Sequence, residues 1–170
     1  MPTGDDLTVL AGQHPEGIRH PLLSITPQVL TAALTHLRTA SFEQGGLLVG
    51  SAWSAPGGPP EQPARIRVLA AVPAREQVGD AVSLRMAGTV WSDANSLLDR
   101  LRARQPEARI VGWYHSHPDL GAFFSATDRR THRAFFMHSY SVGWVIDPVR
   151  AEHAAFLGKN CQMICVHLEA

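Results

Sequence analysis

Apolar residues recur along the chain at two spacings, and the change from one to the other marks out its elements. Ile25, Val29, Leu30, Ala33, Leu34 and Leu37 form a stripe at helical spacing, and Thr26 and Pro27 ahead of it suit a helix cap and a first helical turn. Residues 45–53 (GGLLVGSAW) are an apolar run of strand length. The proline-rich stretch 54–63 cannot pair in a sheet interior, because proline lacks the amide donor. Residues 64–72 (ARIRVLAAV) read as the return strand of a hairpin with a long tip, and residues 81–86 (AVSLRM) as a third strand. Val90, Trp91, Ala94, Leu97, Leu98 and Leu101 predict a second helix over 89–104, ended by Pro106. A strand over 108–115, a third helix from Ser125 to about His138, and strands at 141–147, 151–158 and 161–168 complete the pattern.

With no internal repeat and no linker, these elements predict an α/β chain of the α+β type. The expected fold is one domain over 21–170, with a mixed, largely antiparallel curved sheet and about three helices. Residues 1–20, with prolines and glycines scattered through them, read as an N-terminal arm.

Composition narrows the classes. A chain of 170 residues suits one core, and 45% apolar with 18% charged residues is an ordinary globular balance. Fifteen basic and fifteen acidic residues cancel, which gives no electrostatic support to a nucleic-acid binder. Arg129, Arg130 and Arg133 lie close together and read as a solvated helix face. No apolar run reaches membrane length, and the start of the chain lacks the basic and apolar blocks of a secretory signal, so the expected location is cytoplasmic. Cys161 and Cys165 fall in the last predicted strand. Four residues along a strand span about 13 Å, beyond the roughly 7 Å a disulfide tolerates, so both are expected as free thiols on one strand face.

The informative segment is WYHSHPDLGAFFSATD, residues 113–128. His115 and His117 sit two apart at the end of a strand, so both imidazoles point to one face while Ser116 points to the other. Asp128 follows in the first turn of the helix that Ser125 caps, where a side chain can face back toward the strand end. Two histidines and one carboxylate leave a fourth position open, the arrangement of catalytic zinc. Spacing alone leaves the alternatives open: histidine pairs occur by chance, and Ser125 with Asp128 is an ordinary capping arrangement.

Two longer motifs, E-x-G-G-x-L-x-G and H-S-H-P-x6-S-x-x-D, resemble those of the JAMM (MPN-plus) zinc isopeptidases. The first is carried by Glu43, Gly45, Gly46, Leu48 and Gly50, the second by His115, Ser116, His117, Pro118, Ser125 and Asp128. The resemblance spans roughly residues 20–168. It implies one zinc ion held by His115, His117 and Asp128. It further implies that Glu43 is the general base that takes a proton from the zinc-bound water, and that Ser125 helps stabilise the oxyanion. The implied substrate is a ubiquitin-like or sulfur-carrier protein, cut after its Gly-Gly tail. No other cofactor is expected.

Other readings compete. RadC-like, nucleic-acid-associated relatives share a similar pattern but carry Asn where Ser116 stands, together with an N-terminal DNA-binding region for which twenty residues are too few. A non-catalytic scaffold of the same fold would have lost ligands, and all five positions are present. A zinc deaminase would need H-x-E and P-C-x-x-C elements that the chain lacks. Glu43 on its own reads as a solvated junction residue. His132, four residues after Asp128 on the same helix face, reads first as a surface histidine, with a place behind the ligands or along a substrate groove as the alternatives. Of Trp113 and Tyr114, strand alternation buries one. The glycines 45, 46 and 50 lack the lysine of a phosphate loop and read as sites of close backbone packing.

Overall fold

Thr26 accepts a hydrogen bond from the Val29 amide at 3.3 Å, and Pro27 occupies the first turn, so helix α1 (Pro27–Leu37) starts where the sequence places it. Its buried residues Val29, Leu30, Ala33, Leu34 and Leu37 are the expected stripe. The computed structural model describes residues 8–9, 22–57, 62–75 and 88–170. Within them the remaining elements are β1 (Thr8–Val9), β2 (Leu22–Ile25), β3 (Gly45–Ser54), β4 (Pro63–Pro73), α2 (Gly88–Leu101), β5 (Arg109–Ser116), α3 (Ala126–Phe135), β6 (Val142–Asp147), β7 (Glu152–Leu157) and β8 (Gln162–Leu168).

The strands form one mixed sheet in the order β1-β7-β6-β5-β3-β4-β2-β8, and β8 also pairs with β7. The expected curvature therefore goes as far as closure: the sheet curls until its far strand meets β7. The β3–β4, β3–β5, β6–β7 and β7–β8 ladders are antiparallel, and β5–β6, β2–β4, β2–β8 and β1–β7 are parallel. Gly46 and Gly50 sit where β3 meets β4 closely. A Cβ on Gly46 would run into the Val72 carbonyl oxygen and the Tyr114 ring, and one on Gly50 into the Arg67 carbonyl oxygen. The close-packing reading of these glycines fits that crowding.

Both faces of the sheet are covered. One packs on α1 through Leu23, Ile25, Leu48, Ile66, Tyr114, Trp144 and Ile146. The other packs on α2 through Leu47, Val49, Trp113, Val145 and Phe156, with Val90, Ala94 and Leu98. Trp113 and Tyr114 are consequently both fully buried. Alternation correctly assigned them to opposite faces, but the inference that one would be exposed fails because no face of β5 meets solvent.

Other boundaries differ locally. α3 stops at Phe135, since Phe136 leaves helical geometry with φ −126 and ψ 69. Cys161 lies in the turn before β8, buried and with φ 49, while Cys165 is within the strand, so the two do not share a strand face. β1, inside the expected arm, pairs with Glu152 and His153 of β7. The strand expected at 81–86 and the hairpin tip at 58–61 lie outside the described residues. Among the described residues no helix is long and apolar enough to cross a membrane.

Candidate metal centre

Strand alternation on β5 puts Trp113 and His115 on one face, where their rings stack 4.3 Å apart at 9°. His117 follows the last strand residue and stays tied to the sheet, its amide donating to the Ile146 carbonyl at 3.0 Å. Pro118 then ends the extended run. The connector 118–124 leads to Ser125, which caps α3 in a reciprocal arrangement. The Ser125 hydroxyl accepts from the Asp128 amide at 3.1 Å, and the Ser125 amide donates to Asp128 Oδ2 at 2.7 Å. That cap fixes the Asp128 carboxylate in the first turn, facing the end of β5.

The three side chains meet there. His115 Nε2 lies 3.2 Å from Asp128 Oδ1, and His117 Nε2 lies 3.2 Å from Asp128 Oδ2. The prospective ligand atoms all fall within 4.8 Å of one another, and all three residues are buried. Despite their proximity, His115 Nε2 and Asp128 Oδ1 make no hydrogen bond. Buried polar atoms without partners are costly and rare. A pair of them aimed at a shared point instead of at each other is what a cation between them would satisfy. Two imidazole nitrogens and a carboxylate form a donor set that suits zinc, so the residues present fit the metal.

Charge is arranged to match. Burial alone would raise Asp128, but the imidazoles of His115 and His117 beside it outweigh burial and hold the carboxyl well below the usual range. Burial lowers His115, more than the neighbouring Asp128 raises it. Burial pulls His117 down as well, yet Asp128 and Glu43 overcome this and raise it. An anionic Asp128 and a neutral His115 are the states a divalent cation needs, and at His117 the cation would displace the proton that Asp128 and Glu43 favour.

Glu43 reaches the cluster through the sheet. The β3–β5 ladder pairs Gly45 with His115. It continues one step beyond the strands: the Gln44 amide donates to Ser116 Oγ at 3.0 Å, and the Ser116 amide donates to the Gln44 carbonyl at 2.8 Å. The next facing positions are Glu43 and His117, with Glu43 Oε1 3.8 Å from His117 Nε2. Ser116, pointing away from the histidines as expected, thus secures the backbone that carries Glu43. The Glu43 side chain is 21% exposed while that of Asp128 is 0% exposed, so Glu43 can meet solvent and Asp128 cannot. Burial raises the Glu43 pKa, His117 pulls it back, and Asp128 adds to the rise.

His132 requires a correction. It is fully buried, and its Nδ1 accepts a hydrogen bond from Trp113 Nε1 at 3.0 Å. Burial lowers its pKa to about 4, so the ring is neutral near neutral pH. The inward face of α3 consists of Asp128 and His132, whereas Arg130 and Arg133 are exposed. The solvated face holds for Arg130 and Arg133, Arg129 is half-buried, and the histidine belongs to the opposite face. The spacing of Asp128 and His132, four residues apart on a helix whose first turn faces inward, carried that signal. Trp113 and Phe124 lie beneath the cluster, while Phe123 is 46% exposed with its ring 4.9 Å from that of His117. The pattern of the sequence did not single out Asp147, whose buried carboxylate borders the connector.

Comparison with known proteins identifies the family. A family model described as "Prokaryotic homologs of the JAB domain" matches residues 26–156. The ubiquitin carboxyl-terminal hydrolase RPN11 of Saccharomyces cerevisiae is 33% identical over 79 residues, which cover 46% of this chain and 25% of that protein. The 26S proteasome non-ATPase regulatory subunit 14 of Dictyostelium discoideum is 27% identical over 150 residues, covering 80% of this chain and 45% of that one. The chain thus spans less than half the length of these relatives. The solution structure of protein DSY2949 from Desulfitobacterium hafniense shares the fold, with a TM-score of 0.60 at 21% identity, over 86% of this chain and 92% of that one.

Proposed function

The chain belongs to the JAB-domain family in its prokaryotic form, and on that premise we propose that it is a zinc-dependent peptidase or isopeptidase. Its proposed substrate is a ubiquitin-like or sulfur-carrier protein, hydrolysed after a Gly-Gly tail. The observation that carries this reading is the buried convergence of His115, His117 and Asp128, with Glu43 facing His117 across the ladder.

His115, His117 and Asp128 would hold the zinc. When bound, that ion supplies Lewis acidity, lowering the pKa of water toward about 7 and polarising a carbonyl. The rest of the chemistry belongs to the protein. Glu43, with its raised pKa and partial access to solvent, accepts a proton from the attacking water and passes it to the leaving amine. Ser125 spends its acceptor capacity on the Asp128 amide and keeps its own hydroxyl proton, which it can donate to the oxygen that gains charge. His132 and Trp113 support the ring of His115 from behind.

Tail specificity follows from the approach. Phe123 stands exposed beside His117, and Phe42, next to Glu43 in the chain, is 51% exposed. An extended tail laid past Phe123 would gain main-chain hydrogen bonds, and two glycines would add no side chain to clash. Contacts with the remote carrier body position the scissile carbonyl. The test compares a Gly-Gly-tailed carrier fusion, its terminal Gly→Val variant and a short peptide with the same tail, using mass spectrometry of the products. The fusion is expected to be cut after the second glycine, and the other two poorly. Equal cleavage of all three would make the chain a general peptidase.

A further inference from the structure

We propose that Asp147 is a positioning residue for the metal centre, its buried carboxylate clamping the connector that runs from His117 to Ser125. The inference rests on the reading that His117 and Asp128 hold a metal.

Asp147 ends β6, one residue after the carbonyl that receives the His117 amide. Its side chain is fully buried, and its two oxygens accept four backbone N–H groups. Oδ1 takes those of Asp119 at 3.0 Å, Val149 at 2.9 Å and Arg150 at 3.0 Å, and Oδ2 takes that of Gly121 at 2.7 Å. The bonds to Val149 and Arg150 close an ordinary turn around Pro148. Those to Asp119 and Gly121 are not needed for that turn; they reach across to the connector.

The connector needs such a hold. Asp119 has φ 61 and Gly121 has φ 90, both left-handed backbone, and a non-glycine residue keeps that conformation only when its surroundings impose it. Leu120 between them is 59% exposed, so no apolar contact anchors the tip until Ala122 and Phe124 are buried. The Arg150–Asp119 ion pair is at the surface, with side chains 49% and 72% exposed, where such pairs hold little. Besides the Leu120 amide, which donates to the His117 carbonyl at 3.1 Å, the connector is held by the Asp147 carboxylate, and charge-assisted bonds are the strong kind. Burial would raise its pKa, but the four N–H bonds outweigh this and keep it anionic. A connector released at Asp119 and Gly121 would loosen His117 and Phe123 at one end and the Ser125 cap of Asp128 at the other.

The test uses Asp147→Asn, whose amide cannot accept at both positions, and Gly121→Ala, which strains the same backbone from the other side. At Gly121 a Cβ would meet nothing nearer than 3.8 Å, so backbone conformation and not crowding is what the alanine disturbs. Zinc and cobalt affinities are measured by competition titration, cobalt visible spectra are recorded, and backbone hydrogen exchange is followed in the metal-free chain. Both variants are expected to unfold cooperatively and to bind zinc about 10–100-fold more weakly. Altered cobalt bands and faster exchange at the Asp119 and Gly121 amides, with Trp113 and Tyr114 still protected, complete the expected result. Unchanged affinity and cobalt spectrum in the folded variants would overturn the proposal. If Asp147→Asn does not fold, Gly121→Ala decides in the same terms. A wild-type chain that bound neither ion would overturn the metal reading itself, a result distinct from unaltered binding in the variants.

Discussion

Glu43 faces His117 across an extension of the β3–β5 ladder, with Oε1 and Nε2 3.8 Å apart. The contact joins residues distant in the chain through hydrogen bonds between Gln44 and Ser116, one from backbone to backbone and the others to and from the serine hydroxyl. A carboxylate placed by a sheet ladder, in the proposed role of general base, stays in position without the metal. Glu43→Gln is therefore expected to retain zinc and lose turnover by about two to four powers of ten, because an amide cannot accept the proton. Zinc content and single-turnover rate measured on the same sample check this. Near-normal turnover with zinc bound would remove Glu43 from the mechanism.

Ser125→Ala separates two roles for one hydroxyl. Losing the cap on the Asp128 amide is expected to lower stability by about 0.5–2 kcal/mol. Losing an oxyanion donor is expected to raise the barrier by about 2.7–4 kcal/mol. Denaturant unfolding and activity per folded, zinc-loaded molecule report the two effects independently. Lower stability with unchanged activity would leave Ser125 as a cap alone.

Two core histidines set an acid limit. His132 and His153 are fully buried, each accepting an indole N–H, from Trp113 and Trp144 respectively, and burial lowers both to about 4. Their folded values lie below the unfolded value of about 6.5, so the unfolded chain takes up protons first as pH falls. Their contribution is complete above about pH 6.5 and is lost on the way down to about pH 4, on the order of 3 kcal/mol for each. Thermal melts between pH 7.5 and 4.5 are expected to show falling Tm. The fall should be shallower in His153→Gln, whose amide oxygen can still accept from Trp144 but does not titrate. Equal slopes in the two proteins would contradict the assignment for His153.

What the sequence made legible was mostly local. The i, i+2 spacing of His115 and His117 and the cap joining Ser125 to Asp128 are relations within one strand end and one helical turn. Their chemistry could be read from spacing, and resemblance chose among the alternatives. Glu43 was legible only by resemblance, because its link to His117 depends on the register between two strands far apart in the chain. His132 was misread because helical spacing gives its face but not its partner, and that partner, Trp113, sits on a different element. Asp147 escaped because an Asp-Pro pair signals a turn, while two of its four bonds cross to a connector that no local pattern reveals. The burial of both Trp113 and Tyr114 followed from helices packing on both faces of the sheet, which the pattern of one strand does not encode.

Zinc content is the most direct test of the central claim, that His115, His117 and Asp128 form one metal site. The measurement is zinc per chain by native mass spectrometry, for the wild type and for His115→Ala/His117→Ala, each checked for cooperative unfolding. The variant loses the stacking of His115 on Trp113, so zinc is scored only in samples that unfold cooperatively. The account predicts one zinc per wild-type chain and none in the folded double variant. Full occupancy in that variant, or a folded wild-type chain that takes up no zinc, would contradict it.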